Sequence, residues 1–238
     1  MISVIISTDN SRATLSATLE SLIPAAVAGL VREVIVADGG SSDTTVPIAD
    51  GFGATVITAG PARANRLIAG AQLAKCPGLL FLDPDCVLQD GWERDIDKLL
   101  ITLDQSARPA QAITFRYRLD ERTWAARTAE IAASLTSAIL GIAHSGQGLL
   151  IPRTLYAAAG GFRPLERLEF ADLARRFGRQ RFLRLPITAS HQAPDPRSEG
   201  HTKTLLRYYG HVVLFMLNIP IGQRSSHPGP LLSGPPSS

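Results

Sequence analysis

Four short apolar runs, at residues 2–6, 33–38, 54–58 and 79–82, alternate with three segments whose apolar residues recur at helical spacing. The first run holds Ile2, Val4, Ile5 and Ile6 around one serine, the β-branched pattern of a strand buried on both faces. Leu15, Leu19, Leu22 and Ile23 then repeat as on a helix face. A short helix over 45–50 and another over 61–75, with Pro61 near its first turn and Leu67, Ala71 and Ala74 in step, fill the remaining gaps. Such a βαβαβαβ series leaves few folds open. Parallel neighbours need crossover connections, the crossovers are right-handed, and the helices fall on both faces of the sheet. The expected class is α/β, a mostly parallel sheet flanked by helices.

The 238 residues suit one large domain or two small ones. One domain over 1–222 is expected, followed by a flexible, functionally silent tail at 223–238, where the composition falls to Ser, Pro and Gly. The charges divide it unevenly. Residues 1–100 carry 7 Lys and Arg against 12 Asp and Glu, and residues 101–238 carry 17 against 9, so the formal charge of +3 hides an acidic half joined to a basic one. Only Cys76 and Cys86 occur, which offers neither a disulfide framework nor a CxxC metal site and suits a reducing, cytoplasmic compartment. The first residues lack a basic leader and turn polar after six positions, as a strand does and a signal peptide does not. The apolar run near 211–220 is shorter than the ~20 residues of a spanning helix.

Open parallel sheets bind ligands beyond the carboxyl ends of their strands. Three such ends carry polar clusters: Ser7, Thr8, Asp9 and Asn10; the stretch from Asp38 through Gly39, Gly40, Ser41 and Ser42 to Asp43; and Asp83 and Asp85 about Pro84. Each cluster alone also reads as turn and helix-cap chemistry. Together they face one crevice. Two carboxylates one residue apart after a buried strand can aim at a common point, and hard cations such as Mg²⁺ or Mn²⁺ take oxygen ligands together with substrate phosphates. Neither GxGxxG nor GxxxxGK[ST] follows any of these strands, so a dinucleotide fold or a P-loop nucleotidase lacks its phosphate cradle.

Taken in order, the first strand with Thr8 to Asn10, the Asp38 to Asp43 stretch, Arg63-Ala64, the Asp83-Pro84-Asp85 turn and Gly160-Gly161-Phe162 resemble family 2 glycosyltransferases of the GT-A fold. The likeness is nearest to small bacterial members built around DGGSxD and GRA, and covers roughly residues 1–190. It implies a nucleotide-sugar donor bound by residues 1–100 and an acceptor bound by residues 101–222. Asp38 would stand near the base, Asp43 and Arg63 near the nucleoside or phosphates, and Asp85 on a divalent metal at the diphosphate; Thr8 and Asp83 are further candidates for donor binding, Asp83 also for the metal beside Asp85. The implied reaction is displacement at the anomeric carbon, with a base taking the acceptor proton.

The chain also departs from that pattern. Ser7 and Ser11 replace a Pro and a Glu of the first loop, Ile68 an Asn of the third helix, and His191-Gln192 a pair of arginines. A GDQ segment reads Ser145-Gly146-Gln147, and the Glu-Asp pair whose Asp is commonly the base falls on Glu169-Phe170. Glu169 and Asp172 are the carboxylates left for that task. His191, after a strand at 185–190, reads as a third metal ligand or as a surface loop histidine, and His144 as an alternative base.

Seven arginines, Arg163, Arg167, Arg175, Arg176, Arg179, Arg181 and Arg184, stand within 22 residues against Glu166, Glu169 and Asp172. They suit an acidic or phosphorylated acceptor or an anionic membrane surface; the alternative is a solvated helix face. Nucleic acid fits poorly with 6% aromatic residues. Residues 202–217 have helical apolar spacing and a basic start, for core packing, a homodimer contact or peripheral binding at the inner membrane face. Two functional classes follow: a metal-dependent glycosyltransferase, or a weak or inactive relative that binds nucleotide and acts as partner or regulator of another protein.

Overall fold

The computed structural model describes residues 1–105, 109–119, 145–165, 168–178 and 181–191. His144, Arg167, Arg179, the 202–217 segment and the 223–238 tail lie outside them.

In chain order the elements are β1 (Ile2–Thr8), α1 (Leu15–Val27), β2 (Val31–Asp38), α2 (Thr45–Gly51), β3 (Thr55–Thr58), α3 (Arg63–Leu73), β4 (Gly78–Leu82), β5 (Cys86–Leu88) and α4 (Trp92–Asp104). Then come β6 (Ala112–Leu119), a 3₁₀ turn (Ser145–Gln147), β7 (Leu149–Pro152), α5 (Arg153–Ala158), α6 (Glu169–Phe177) and β8 (Phe182–His191). One eight-stranded sheet runs β3-β2-β1-β4-β7-β6-β8-β5. The parallel part, β3-β2-β1-β4, matches the alternation in the sequence. Beyond it β7 runs antiparallel to both β4 and β6, and β5 antiparallel to β8, so the sheet is mixed rather than mostly parallel.

Because β1 lies between β2 and β4, the chain order reverses at β1, and the crevice that such a reversal opens lies at the carboxyl ends of β1 and β4. The core has two layers, one on each face of the sheet. Ile2, Val4 and Ile6 of β1 pack with Leu15, Leu19 and Leu22 of α1 and with Trp92 and Ile96 of α4. Ile5 points the other way, to Leu67 and Ala71 of α3 and, across the sheet, to Phe81, Leu155, Phe162, Phe170 and Leu173. This alternation is what a strand covered on both sides demands. Helix α3 lies so close to β1 that a Cβ at Gly70 would collide with Cγ2 of Ile5. That approach brings the first turn of α3, with Arg63 and Arg66, down to the strand ends. Cys76 and Cys86 are both buried free thiols. No helix among the described residues is long and apolar enough to cross a membrane.

Candidate functional site

The loop after β2 is organised by one carboxylate. Asp38, 2% exposed, accepts from the backbone N–H of Gly40 at 2.8 Å and of Ser41 at 2.7 Å, from Ser41 Oγ at 2.6 Å and from Thr8 Oγ1 at 2.9 Å. Four donors match the four lone-pair positions of a carboxylate. Burial would raise its pKa, but the Ser41, Gly40 and Thr8 donors outweigh burial and lower it. Thr8, fully buried, thus acts on the loop through Asp38.

Asp43 closes the same loop. Its carboxylate receives the backbone N–H of Thr45 at 2.9 Å, that of Arg12 at 3.2 Å and the Thr45 hydroxyl. The Thr45 bond leads the causes that lower its pKa. Asn10, at φ 49°, accepts the N–H of Ser42, and its own N–H donates to Ser41 Oγ, so the loops after β1 and β2 are tied together. A left-handed Asn is well tolerated, which explains why this residue type turns the chain there.

The turn after β4 sends its two carboxylates in different directions. Asp83 bonds Arg63, whose other terminal nitrogen bonds Glu169. Asp85 faces His191, with Oδ1 3.2 Å from Nδ1. The antiparallel pairing of β5 with β8 fixes this second meeting, since its register sets Cys86 opposite His191. The other ring nitrogen of His191 bonds the Gly146 carbonyl. Burial favours the neutral ring, but hydrogen bonds with Asp85 and Cys86 carry its pKa well above the usual histidine value.

These groups suit a divalent cation in part. A backbone carbonyl on Nε2–H is the support that holds a metal-ligating imidazole in place, and it leaves Nδ1 to share a metal with Asp85. Two ligands on one octahedral cation stand about 3 Å apart, close to the Asp85–His191 spacing. Among the described residues no three His, Cys, Asp or Glu groups gather as a metal cluster. The donor set is therefore one carboxylate and one imidazole, with Asp83 turned to Arg63, and it fits a cation that also takes phosphate oxygens from a substrate.

Helix α6 separates Glu169 from Phe170. Leu168 enters it at φ 69°, a left-handed conformation rare for leucine, so that Glu169 opens the first turn against Arg63. One step on, about 100° around the helix, Phe170 enters an aromatic cluster, its ring 5.0 Å from that of Phe162 and 5.1 Å below the Arg63 guanidinium. Asp172 holds Arg176 at 2.7 Å and meets Arg163 at 3.8 Å, while Arg176 also donates to the carbonyls of Ala159 and Gly161. Two of the seven clustered arginines thus pin α6 to the segment after α5.

Arg66 was absent from the sequence expectations. It is 6% exposed, donates to Ser7 Oγ at 2.8 Å and to the Pro61 carbonyl at 2.6 Å, and burial lowers its pKa. Its signal was an arginine one turn after Arg63, on a helix whose next residue, Leu67, is core.

Residues 3–150, over half of the chain, match Glycosyl transferase family 2. No curated protein sequence matches. Among solved structures, the chain is similar to glucosyl-3-phosphoglycerate synthase from Mycobacterium tuberculosis. In the complex with Mn²⁺, uridine-diphosphate and glucosyl-3-phosphoglycerate the identity is 23% and the TM-score 0.66, covering 93% of this chain and 81% of that one. In the complex with Mn²⁺, uridine-diphosphate-glucose and phosphoglyceric acid the identity is 24%, with the same TM-score and coverage. The crystal structure of a mycobacterial protein aligns at 20% identity and TM-score 0.66, covering 93% of this chain and 76% of that one. At these identities the likeness describes the fold, which is GT-A.

Proposed function

Since the chain belongs to glycosyl transferase family 2, we propose that it transfers a sugar from a nucleotide-sugar to an acidic or phosphorylated acceptor, with Asp85 and His191 holding a Mn²⁺ or Mg²⁺ ion. The observation that carries this reading is the convergence on Arg63 of Asp83, from the turn that also bears Asp85, and Glu169, from α6. Residues distant in sequence bring acid, base and cation-binding groups to the crevice end of β4. Residues 1–100 are the donor half and 101–222 the acceptor half of one domain.

In this reading Thr8, Asp38 and Asp43 shape the loops that receive the nucleoside. Asp38 acts by presenting the 39–41 backbone, because its own lone pairs are engaged within the loop. Arg63 orients Glu169 and balances its charge. Glu169 takes the proton of the acceptor hydroxyl at its carboxylate, and Asp172, gripped by Arg176, fixes α6. When bound, the divalent ion offsets the charge of the departing diphosphate. Phe170 and the surrounding aromatic rings close the floor of the site against water.

A second reading, nucleotide binding without transfer, draws on Phe170: the position where the family commonly carries its base is 2% exposed and apolar. The distinguishing experiment measures hydrolysis and transfer across a nucleotide-sugar panel with Mn²⁺, beside calorimetric binding of the nucleotides. Turnover that depends on Glu169 supports transfer. Binding without turnover over many acceptors supports the second reading.

A further inference from the structure

Pro186 stands in the middle of β8, where it has no N–H to give the ladder. The pairing with β6 shows the consequence. Thr114 lies opposite Arg184, yet Arg116 lies opposite Thr188, so a step of two residues on β6 is matched by four on β8. The excess residues bulge, and bulges commonly re-aim side chains beside active sites. Here the bulge borders a cavity of about 420 Å³ lined by Arg116, Tyr117, Gln147, Arg184, Leu185 and Pro186. That is the size of a small-molecule site, roughly 300–1,000 Å³.

Among the described residues that line it, the charged ones are both cationic: Arg116 and Arg184 are exposed guanidinium side chains, while Tyr117 and Gln147 are buried. Arg184 lies opposite Thr114, so the two arginines are diagonal neighbours across the strand pair, close enough for long side chains to meet one ligand. Guanidinium forks bind phosphate and carboxylate oxygens two at a time.

The cavity also adjoins the cation-binding end. The Tyr117 ring centroid is 4.9 Å from that of His191, and Gln147 follows Gly146, whose carbonyl holds the His191 ring. Thr188, opposite Arg116, precedes His191 by three residues, about 10 Å along an extended strand. That distance suits a small hydroxy compound with an anionic group at its far end.

We propose that the cavity at the Pro186 bulge is the acceptor's anion subsite, in which Arg116 and Arg184 hold a phosphate or carboxylate group while the acceptor hydroxyl points toward Asp85 and His191. This rests on the glycosyltransferase reading above, and it makes the acceptor a small anionic molecule rather than a neutral glycan. The two arginines come from neighbouring strands, and both line the cavity that the bulge borders.

The test uses the full chain, with inorganic phosphate and glycerol 3-phosphate as anionic probes, glycerol as the neutral control, and UDP with Mn²⁺ as a separate probe of the donor site. Arg116→Ala and Arg184→Ala are each expected to weaken calorimetric binding of both anions by about tenfold. Arg116→Lys recovers part of the loss, glycerol does not bind, and UDP–Mn²⁺ affinity and melting temperature stay as in the parent chain. With an active donor, the same substitutions raise the KM for anionic acceptors and leave kcat within about twofold. Anion binding that is absent, or indifferent to both arginines, while UDP–Mn²⁺ still binds, overturns the subsite and leaves the donor reading standing. Loss of UDP–Mn²⁺ binding in the parent chain strikes the glycosyltransferase reading instead. Weakened phosphate binding with unchanged acceptor KM marks a site for free anions and overturns the acceptor assignment.

Discussion

Arg63 grips Glu169 across 106 residues of chain, from the first turn of α3 to the first turn of α6, and holds Asp83 with its other terminal nitrogen. The guanidinium thereby presents Glu169 at the crevice while Asp172, three residues on, is committed to Arg176. The two carboxylates of α6 therefore respond differently to substitution. Glu169→Gln keeps the shape and removes the proposed proton acceptor, so turnover is expected to fall by about 10²–10⁴ with UDP–Mn²⁺ binding little changed. Asp172→Asn leaves the partly buried Arg176 without its charge partner and is expected to cost stability, by about 1.5–3 kcal/mol. Urea denaturation and initial rates on both variants check this. Lost turnover at full stability in the Asp172 variant would reverse the assignment.

The proposed cation site rests on a single carboxylate and a single imidazole, so either loss is expected to be severe. Asp85→Ala and His191→Ala are each expected to lower Mn²⁺-dependent UDP affinity at least about tenfold, since metal-site partners typically account for 10–100-fold. Asp85 is partly exposed at the end of a strand, and its removal leaves the core intact. Asp83→Ala acts otherwise: it releases one end of Arg63 and is expected to affect rate more than metal affinity. Calorimetry with and without EDTA measures all three. Equal UDP affinity with and without the chelator in the parent chain sinks the metal assignment.

Acid stability tests the Asp38 cradle. Its folded pKa is lowered, whereas the unfolded chain has a carboxyl near the usual value of about 3.9. A depressed carboxylate contributes stability that is present above the unfolded pKa and is lost as pH falls through the folded one. Asp38→Asn turns an amide toward the N–H groups of Gly40 and Ser41, at an expected cost of about 1.5–3 kcal/mol at neutral pH. The melting-temperature gap between parent and variant is expected to narrow as pH drops from about 5 toward 2. A gap that stays constant over that range would show that the carboxylate charge contributes nothing.

The parallel half of the sheet was legible because its signals are local: β-branched runs, helical spacing, and polar residues at three strand ends. β5 was not, since three residues carry too little pattern, and its pairing with β8 depends on a strand about a hundred positions away. The same limit governs the site. Asp38, Asp83 and Asp85 stood out as acids at strand ends, but nothing in their spacing could say that Asp83 turns to Arg63 and Asp85 to His191. Arg66 was hidden by its position among helix core residues, and Arg116 by an ordinary alternation in β6. Pro186 was visible inside an expected strand, but the bulge it accompanies is a property of the β6–β8 pair.

Phe170 shows how a substitution that reads as loss in the sequence acquires a different meaning in the fold. The family pattern sets an acid there, which suggests restoring one. The Phe170 ring lies 5.0 Å from that of Phe162, which meets Phe81 edge-on at 4.9 Å. With Leu67, Leu155 and Leu173 these rings form the layer beneath α3 and α6. Phe170→Asp would remove a buried aromatic, typically worth about 3–5 kcal/mol, and put an additional carboxylate under Arg63, in competition with Glu169. Phe170→Asp is therefore expected to lower the urea midpoint sharply and to bring no gain in turnover. Phe170→Leu keeps an apolar side chain and separates the two effects: it is expected to retain turnover with a modest loss of stability. Both are read by denaturation and by rate with Mn²⁺ and donor. An active, stable Phe170→Asp enzyme faster than the parent chain would return the base to position 170 and leave Glu169 the task of orienting Arg63.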